Sequence, residues 1–311
     1  MNKRACLGIA LLAGVASACA SAPPPTPAPV VTFEQKLGWM LRLEDRRVLS
    51  DPALAPPAPP APAPRRRGAP AVPAFAPEPD LLVLAGDPEA RVRRRAALAI
   101  GRVGLTEGLP ALARLLQDAE PEVRAMAAFS IGLIANPESA TGLTAALTDP
   151  SPLVRGRAAE GLGIICTAPP NGSTPCDTAV APAIAEMGQL YAEAAAAMAG
   201  DAETASTPEA DAWRLAVYAL TRIRDWDALS RITLDSGKPV TTWWPVAYAL
   251  QRINNAAAVP ALRELAGTDT VVGAAFAMRG LADHRVEDAR PRCTSTALDP
   301  NTDVRLRVTA V

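Results

Sequence analysis

The sequence predicts an all-α solenoid, a single file of stacked helical hairpins, on three observations. One segment recurs without gaps, as Asp87 through Gly101, Asp118 through Gly132 and Asp149 through Gly163, each copy starting 31 residues after the last. Each copy carries an apolar stripe at helical spacing, as in Val92, Ala96, Ile100 and Val103. Finally, 49% of residues are hydrophobic but only 4% aromatic, so the core must be built from Ala, Leu, Val and Ile, a mixture that favours helix over strand. With 31 Lys and Arg against 32 Asp and Glu, the balance excludes the basic surface of a nucleic-acid binder, and electrostatics names no partner.

Along the chain, Lys3 and Arg4 precede an apolar run from Ala5 to Ala16 and then small residues, the pattern of a secretory signal over residues 1–18. The run is too short to span a bilayer comfortably. Ala16-Ser17-Ala18-Cys19 resembles a bacterial lipobox. That resemblance implies a lipidated Cys19 at the mature N-terminus and export to the envelope. Because Ala20 and not Asp follows the cysteine, it points to the outer membrane facing the periplasm before the inner membrane. An ordinary signal peptide cut near Ala20 or Ala22 is the alternative.

Residues 19–80 are expected to form a Pro/Ala-rich tether holding one short amphipathic helix over 33–49. The tract from Pro52 to Pro79 favours extended polyproline II at about 3.1 Å per residue and reads as a stand-off spacer. Arg65-Arg66-Arg67 inside it is either a solvated cluster or a contact for anionic lipid or wall polymer. Thr32-Phe33-Glu34-Gln35 has the form of a capping box, and Phe33, Leu37, Met40, Leu41 and Val48 fall near one helical face. That face docks either on the first repeat or on a partner.

The solenoid proper is expected over 81–311. Asp at the head of each copy can cap a helix, and a following Pro fits a first turn whose N–H groups are unpaired anyway. Val92-Arg93, Val123-Arg124 and Val154-Arg155 come next, then the pairs Ala96-Ala97, Ala127-Ala128 and Ala158-Ala159, which let a neighbouring helix approach closely. Upstream of each such helix lies a second amphipathic stretch, for example Leu109, Leu112, Leu115 and Leu116, so each unit is a hairpin that buries its apolar side by stacking on the next.

The string Asp-Pro-x-x-x-Val-Arg-x-x-Ala-Ala-x-x-Ile-Gly resembles the second helix of HEAT repeats, in particular the short class first recognised in phycobilisome lyases. The resemblance spans roughly residues 80–311 and implies a right-handed solenoid. It also implies that Asp87, Asp118 and Asp149 with Arg93, Arg124 and Arg155 form a structural ladder stitching repeat to repeat; a row of ligand-binding arginines is the other reading. A chromophore-lyase activity would rest on fold analogy alone.

Later copies diverge but stay in phase. Trp213 to Leu220 and Trp243 to Leu250 recur after 30 residues, each followed by Arg and Ile, and Ala274, Ala275, Met278 and Leu281 supply another copy. The recurring aromatics Trp213, Tyr218, Trp243, Trp244 and Tyr248 make either a partner-binding row, since Trp and Tyr dominate interface hot spots, or inter-repeat packing. An insertion at about 166–200 separates the two arrays. Within it Cys166 and Cys176 flank a Pro-Pro and Asn-Gly turn and are expected to pair in an oxidising periplasm, closing a loop worth roughly 3 kcal/mol in the chain-entropy model. Cys293 is left over as a buried thiol.

Nothing here spells an active site. The single His, His284, lies in a turn-like Ala-Asp-His-Arg, and no phosphate loop, His-Glu-x-x-His or metal-spaced Cys cluster occurs, so no catalytic residue, cofactor or metal is assigned. Asp299-Pro300 with Val304-Arg305 begins another second helix whose pattern would run past Val311, so the last repeat looks incomplete. The lipobox, the Phe33 helix and Trp243-Trp244-Pro245-Val246-Ala247-Tyr248 together resemble bacterial HEAT-repeat lipoproteins that can carry a cyclophilin-type peptidyl-prolyl isomerase domain. The leading expectation is a non-enzymatic, membrane-anchored scaffold for an envelope or periplasmic protein. The second is the N-terminal, substrate-presenting arm of an exported prolyl isomerase whose catalytic domain would lie beyond residue 311.

Overall fold

The computed structural model describes residues 31–51, 80–167 and 174–310. The secretory segment, Cys19, and the Pro-rich tract with Arg65–Arg67 lie outside the described residues.

The described residues form helical hairpins, each a first helix followed by a second helix, the second being the longer in every pair but the last. Helix α1 (Phe33–Arg46) comes first. The pairs then run α2 (Leu81–Leu84) with α3 (Ala90–Val103), α4 (Leu109–Leu115) with α5 (Pro121–Ile134), and α6 (Ala140–Ala146) with α7 (Pro152–Ile165). Next are α8 (Val180–Gln189) with a short α9 (Ala192–Ala196) and α10 (Pro208–Ile223), followed by α11 (Trp226–Thr233) with α12 (Trp244–Ile253). Last come α13 (Val259–Ala266) with α14 (Val272–Asp283), and α15 (Arg290–Leu298) with α16 (Val304–Thr309). The second helices α3, α5, α7, α10, α12, α14 and α16 pack in succession, and Ile100, Ile131 and Leu162 sit in the seams at 0%, 3% and 0% exposure. Two-residue strands β1 (Leu234–Asp235) and β2 (Lys238–Pro239) join α11 to α12. Ser236 and Gly237 between them take positive φ, as a tight hairpin turn requires.

The repeat glycines mark where second helices touch. A Cβ on Gly132 would stand 2.5 Å from the Cα of Gly161 on α7, so the backbones of α5 and α7 meet where neither carries a side chain. At the head of each copy the structure corrects the capping expectation. The N-caps are Glu89, Glu120 and Ser151, and Asp87, Asp118 and Asp149 each accept the N–H of those residues at 2.9, 3.0 and 2.8 Å. Each Asp therefore closes the turn before the helix, and Pro88 and Pro150 lie in that turn.

Helix α1 carries the capping box: Gln35 N–H donates to Thr32 Oγ1 at 3.3 Å and Thr32 N–H to Gln35 Oε1 at 2.9 Å. It ends at Arg46, short of the expected 49, because Arg47 turns left-handed. Its docking target is the solenoid itself, with Met40 and Leu43 fully buried against α3. Ser50 and Asp80 pair as an antiparallel bridge, and Leu81 N–H donates to Leu49 O at 2.8 Å. Leu49 and Ser50 are thus brought to one place with Asp80 and Leu81. Helix α1 therefore lies on the repeats, one of the two docking places that its sequence left open.

The elaboration between the arrays also differs from expectation. Its first part, α8, takes the first-helix place against α10 and α11, and the added segment runs on to Thr207. Residues 198–202 form a strap over the starts of α12 and α14. Met198 O accepts from Thr241 Oγ1, and Gly200 O accepts the Trp244 N–H at 3.0 Å. Asp201 accepts three backbone N–H groups at the start of α14, from Val271, Val272 and Gly273 at 2.6, 3.0 and 3.2 Å. At the far end Val304 and Val308 are 65% and 71% exposed, since no further helix covers that side of α16 among the described residues.

Candidate protein-binding surface

The polar ladder runs through the first array. Arg93 reaches across to Asp118 with Nε at 2.6 Å and Nη2 at 2.8 Å, while its Nη1 donates to Asp87 O and Pro88 O at 2.9 and 3.0 Å. Arg124 repeats this on Asp149 at 2.8 and 2.9 Å. Arg155 donates to Asp149 O and lies over the Tyr191 ring at 5.9 Å, so an aromatic ends the series where no further Asp follows. At the other end Lys36 meets Asp87 at 2.6 Å. Lys36 holds the fourth position of α1 as Arg93 does of α3, and a left-handed residue, Arg47 or Gly104, follows each helix. Helix α1 is therefore built as a leading second helix.

The Arg93 and Arg124 guanidiniums are mostly covered and engaged at all three nitrogens, which makes them seams between repeats. The Arg93 hydrogen bond holds the Asp118 carboxyl below its ordinary range despite burial. For Asp149, burial pushes the carboxyl up, and Arg124 with the Ser151 N–H outweighs it to leave a lowered value.

The aromatic row divides in two. Trp213 and Trp243 are fully buried and stacked, with centroids 6.0 Å apart and planes 21° apart, and Trp243 Nε1 donates to Ala202 O at 2.7 Å. As partner-binding candidates these two are corrected: they pack the core. Trp213 and Tyr218 are five residues apart on α10, about 140° around the helix, so one points inward when the other points out.

Tyr218, Trp244 and Tyr248 are half-buried and join Phe276 of α14 in one cluster. Ring centroids are 5.6 Å for Tyr218–Tyr248 and 5.3 Å for Tyr248–Phe276, both edge-on, and 6.2 Å for the stacked Trp244–Phe276 pair. Such contacts add about 0.5–1.5 kcal/mol each beyond area burial and hold the rings in place. Trp244 Nε1 is satisfied by Ala202 O at 3.0 Å, so the strap fixes its orientation. The Arg214 guanidinium sits 5.6 Å from the Tyr218 ring and pairs with Asp211, and burial pushes the Tyr218 hydroxyl up from its ordinary value. The rings and Arg222 line a cleft of about 290 Å³. Phe276 was not among the sequence candidates. The signal was present, because Phe276 precedes Met278 by two residues as Tyr248 precedes Leu250.

Cys166 and Cys176 are joined in a disulfide with Cα atoms 5.3 Å apart, and Cys293 is partly exposed and free. His284 lies in the turn after α14, half-buried, with its Nε2 unpartnered among the described residues. Among the described residues no group of three or more His, Cys, Asp or Glu is placed to hold a metal ion, and no helix is long and apolar enough to cross a membrane.

Comparison with curated proteins gives no match. Among solved structures, the chain is similar to the CpcE–CpcF complex of phycocyanin lyase from Nostoc sp. PCC7120, at 18% identity over 80% of this chain and 89% of that one, TM-score 0.45. It is also similar to human deoxyhypusine hydroxylase, at 19% identity over 74% and 80%, TM-score 0.30. A designed armadillo repeat protein is similar at 16% identity over 74% and 95%, TM-score 0.36. The family described as HEAT repeats matches residues 78–163 and 109–189. The Asp–Arg seams and the Gly132–Gly161 contact fall inside the matched stretch, so residues 78–189 are built of HEAT repeats.

Proposed function

We propose that this protein is a non-enzymatic, lipid-anchored scaffold of the bacterial envelope that binds another protein through the aromatic surface of α10, α12 and α14. The observation that carries the binding role is the cluster of Tyr218, Trp244, Tyr248 and Phe276, held rigid by ring contacts and by the strap yet left partly open. Rigid, half-exposed Trp and Tyr are the residue types that dominate binding hot spots, because they bring area with little conformational entropy to lose. A helical stack that buries its seams and leaves such a patch open is suited to protein binding.

Anchoring through Cys19 and an outer-membrane destination are supported by the Lys3-Arg4 and lipobox pattern. The second reading, the arm of an exported prolyl isomerase, gains no support from the geometry. Photo-cross-linking from position 248 of the full chain in cells tests the scaffold: discrete protein adducts that vanish with Phe276→Ala are expected, and an absence of adducts refutes it. Metabolic labelling with palmitate tests the anchor, with label lost in Cys19→Ala.

A further inference from the structure

Resting on that binding surface, we infer that it takes an extended, acidic, proline-containing segment in polyproline II form, with a carboxylate at every third residue. Each of the three aromatic second helices carries an arginine one turn beyond its ring: Arg222 after Tyr218, Arg252 after Tyr248 and Arg279 after Phe276. All three are exposed, and none has an ion-pair or hydrogen-bond partner among the described residues. Each of these helices thus adds one ring and one exposed guanidinium to the surface, Arg222 and Arg252 four residues beyond their rings and Arg279 three.

Neighbouring helices pack about 8–10 Å apart. Polyproline II rises about 3.1 Å per residue with three residues per turn, so side chains on one side repeat every 9 Å or so. A carboxylate at every third position would meet successive arginines, while the residues between face the rings. The indole N–H of Trp244 is already taken by Ala202 O, which leaves recognition there to ring faces and edges. Prolyl rings suit such faces, and the surrounding guanidiniums repel a cationic group. Helices offer no free strand edge to an incoming chain, so an extended segment would meet this surface through its side chains alone, at the cleft of about 290 Å³. The chain's own Pro-rich tract carries Arg65-Arg66-Arg67 and is the wrong sign for these arginines.

The test is titration calorimetry of the full chain in detergent with the synthetic nonapeptide (Glu-Pro-Pro)3. Measurable binding is expected, weakened at least tenfold with (Lys-Pro-Pro)3, with (Glu-Gly-Gly)3, or when the carboxylates alternate with single prolines. Arg252→Glu, at an exposed residue, should lower affinity for the acidic peptide at least tenfold and raise it for the lysine peptide; Tyr248→Ala should weaken both. Unchanged melting of Arg252→Glu confirms that the fold survives. Equal binding of the two charge forms, tighter binding of a helical acidic peptide, or no binding of any peptide overturns the inference. If no peptide binds but adducts from position 248 persist, the scaffold reading survives alone; loss of both ends both.

Discussion

Replacing Gly132 with alanine isolates the contact that sets the repeat spacing. In an isolated helix the exchange stabilises by about 1 kcal/mol, since alanine loses less backbone freedom. Here the new methyl would stand 2.5 Å from Gly161 Cα and 3.2 Å from Gly161 O, and that neighbour is backbone, which no rotamer change can move. Inserting a methyl into a filled interior costs about 1–3 kcal/mol, and separating two helix axes belongs at the upper end. The net expectation is destabilisation by about 1–2 kcal/mol, or a fall of about 3–6 °C in Tm for an array of this size. Gly142 on α6 is the control, because a Cβ there meets nothing within 4 Å. Gly142→Ala should stabilise by roughly 0.5–1 kcal/mol. Calorimetric and urea unfolding of both variants reads the difference. A Gly132→Ala chain as stable as the Gly142→Ala chain would refute the close-approach account.

Three further outcomes follow from the seams. Because Asp118 is held below its unfolded range by Arg93, its contribution is present above about pH 4 and is lost as pH falls through the folded value. Asp118→Asn should cost about 1–2 kcal/mol at neutral pH and flatten the acid limb of a stability–pH profile. Reduction of the Cys166–Cys176 bridge should lower stability by roughly 3 kcal/mol, measured by urea unfolding with and without reductant. Replacing residues 52–79 with a short Gly-Ser linker should leave the far-ultraviolet spectrum intact and stabilise by about 1 kcal/mol, each halving of loop length being worth about 0.6; loss of the α1 packing on such excision would show that the tract is needed for docking.

Much of the fold was legible because the first array repeats the same physical solutions at fixed spacing. Val92, Ala96 and Ile100 announced the buried face, and Asp87 with Arg93 the polar seam. The direction of that seam was hidden, since sequence spacing does not reveal that Arg93 reaches forward to Asp118 while closing on the Asp87 carbonyl behind it. The place of α1 was ambiguous for a related reason. Its lysine and its left-handed Arg47 match the repeat by position, but Phe33-Glu34-Gln35-Lys36 shares almost no residues with Ala90-Arg91-Val92-Arg93. The aromatic row misled because residues in phase between copies were taken to share a face within each copy. Trp213 and Tyr218 recur together yet point apart, whereas the register that found Tyr248 also finds Phe276.

The strap at residues 198–202 changes how the later repeats come undone. A stack that touches only its nearest neighbours frays from an end, one unit at a time. Asp201 ties the start of α14 to a segment 70 residues earlier, and Ala202 holds the Trp243 and Trp244 indoles at the start of α12, so these hairpins must open together. Amides of α12 and α14 should exchange with solvent as one cooperative block, slower than those of α15 and α16, and any force pulling on the C-terminal side meets a clasp before it reaches the first array.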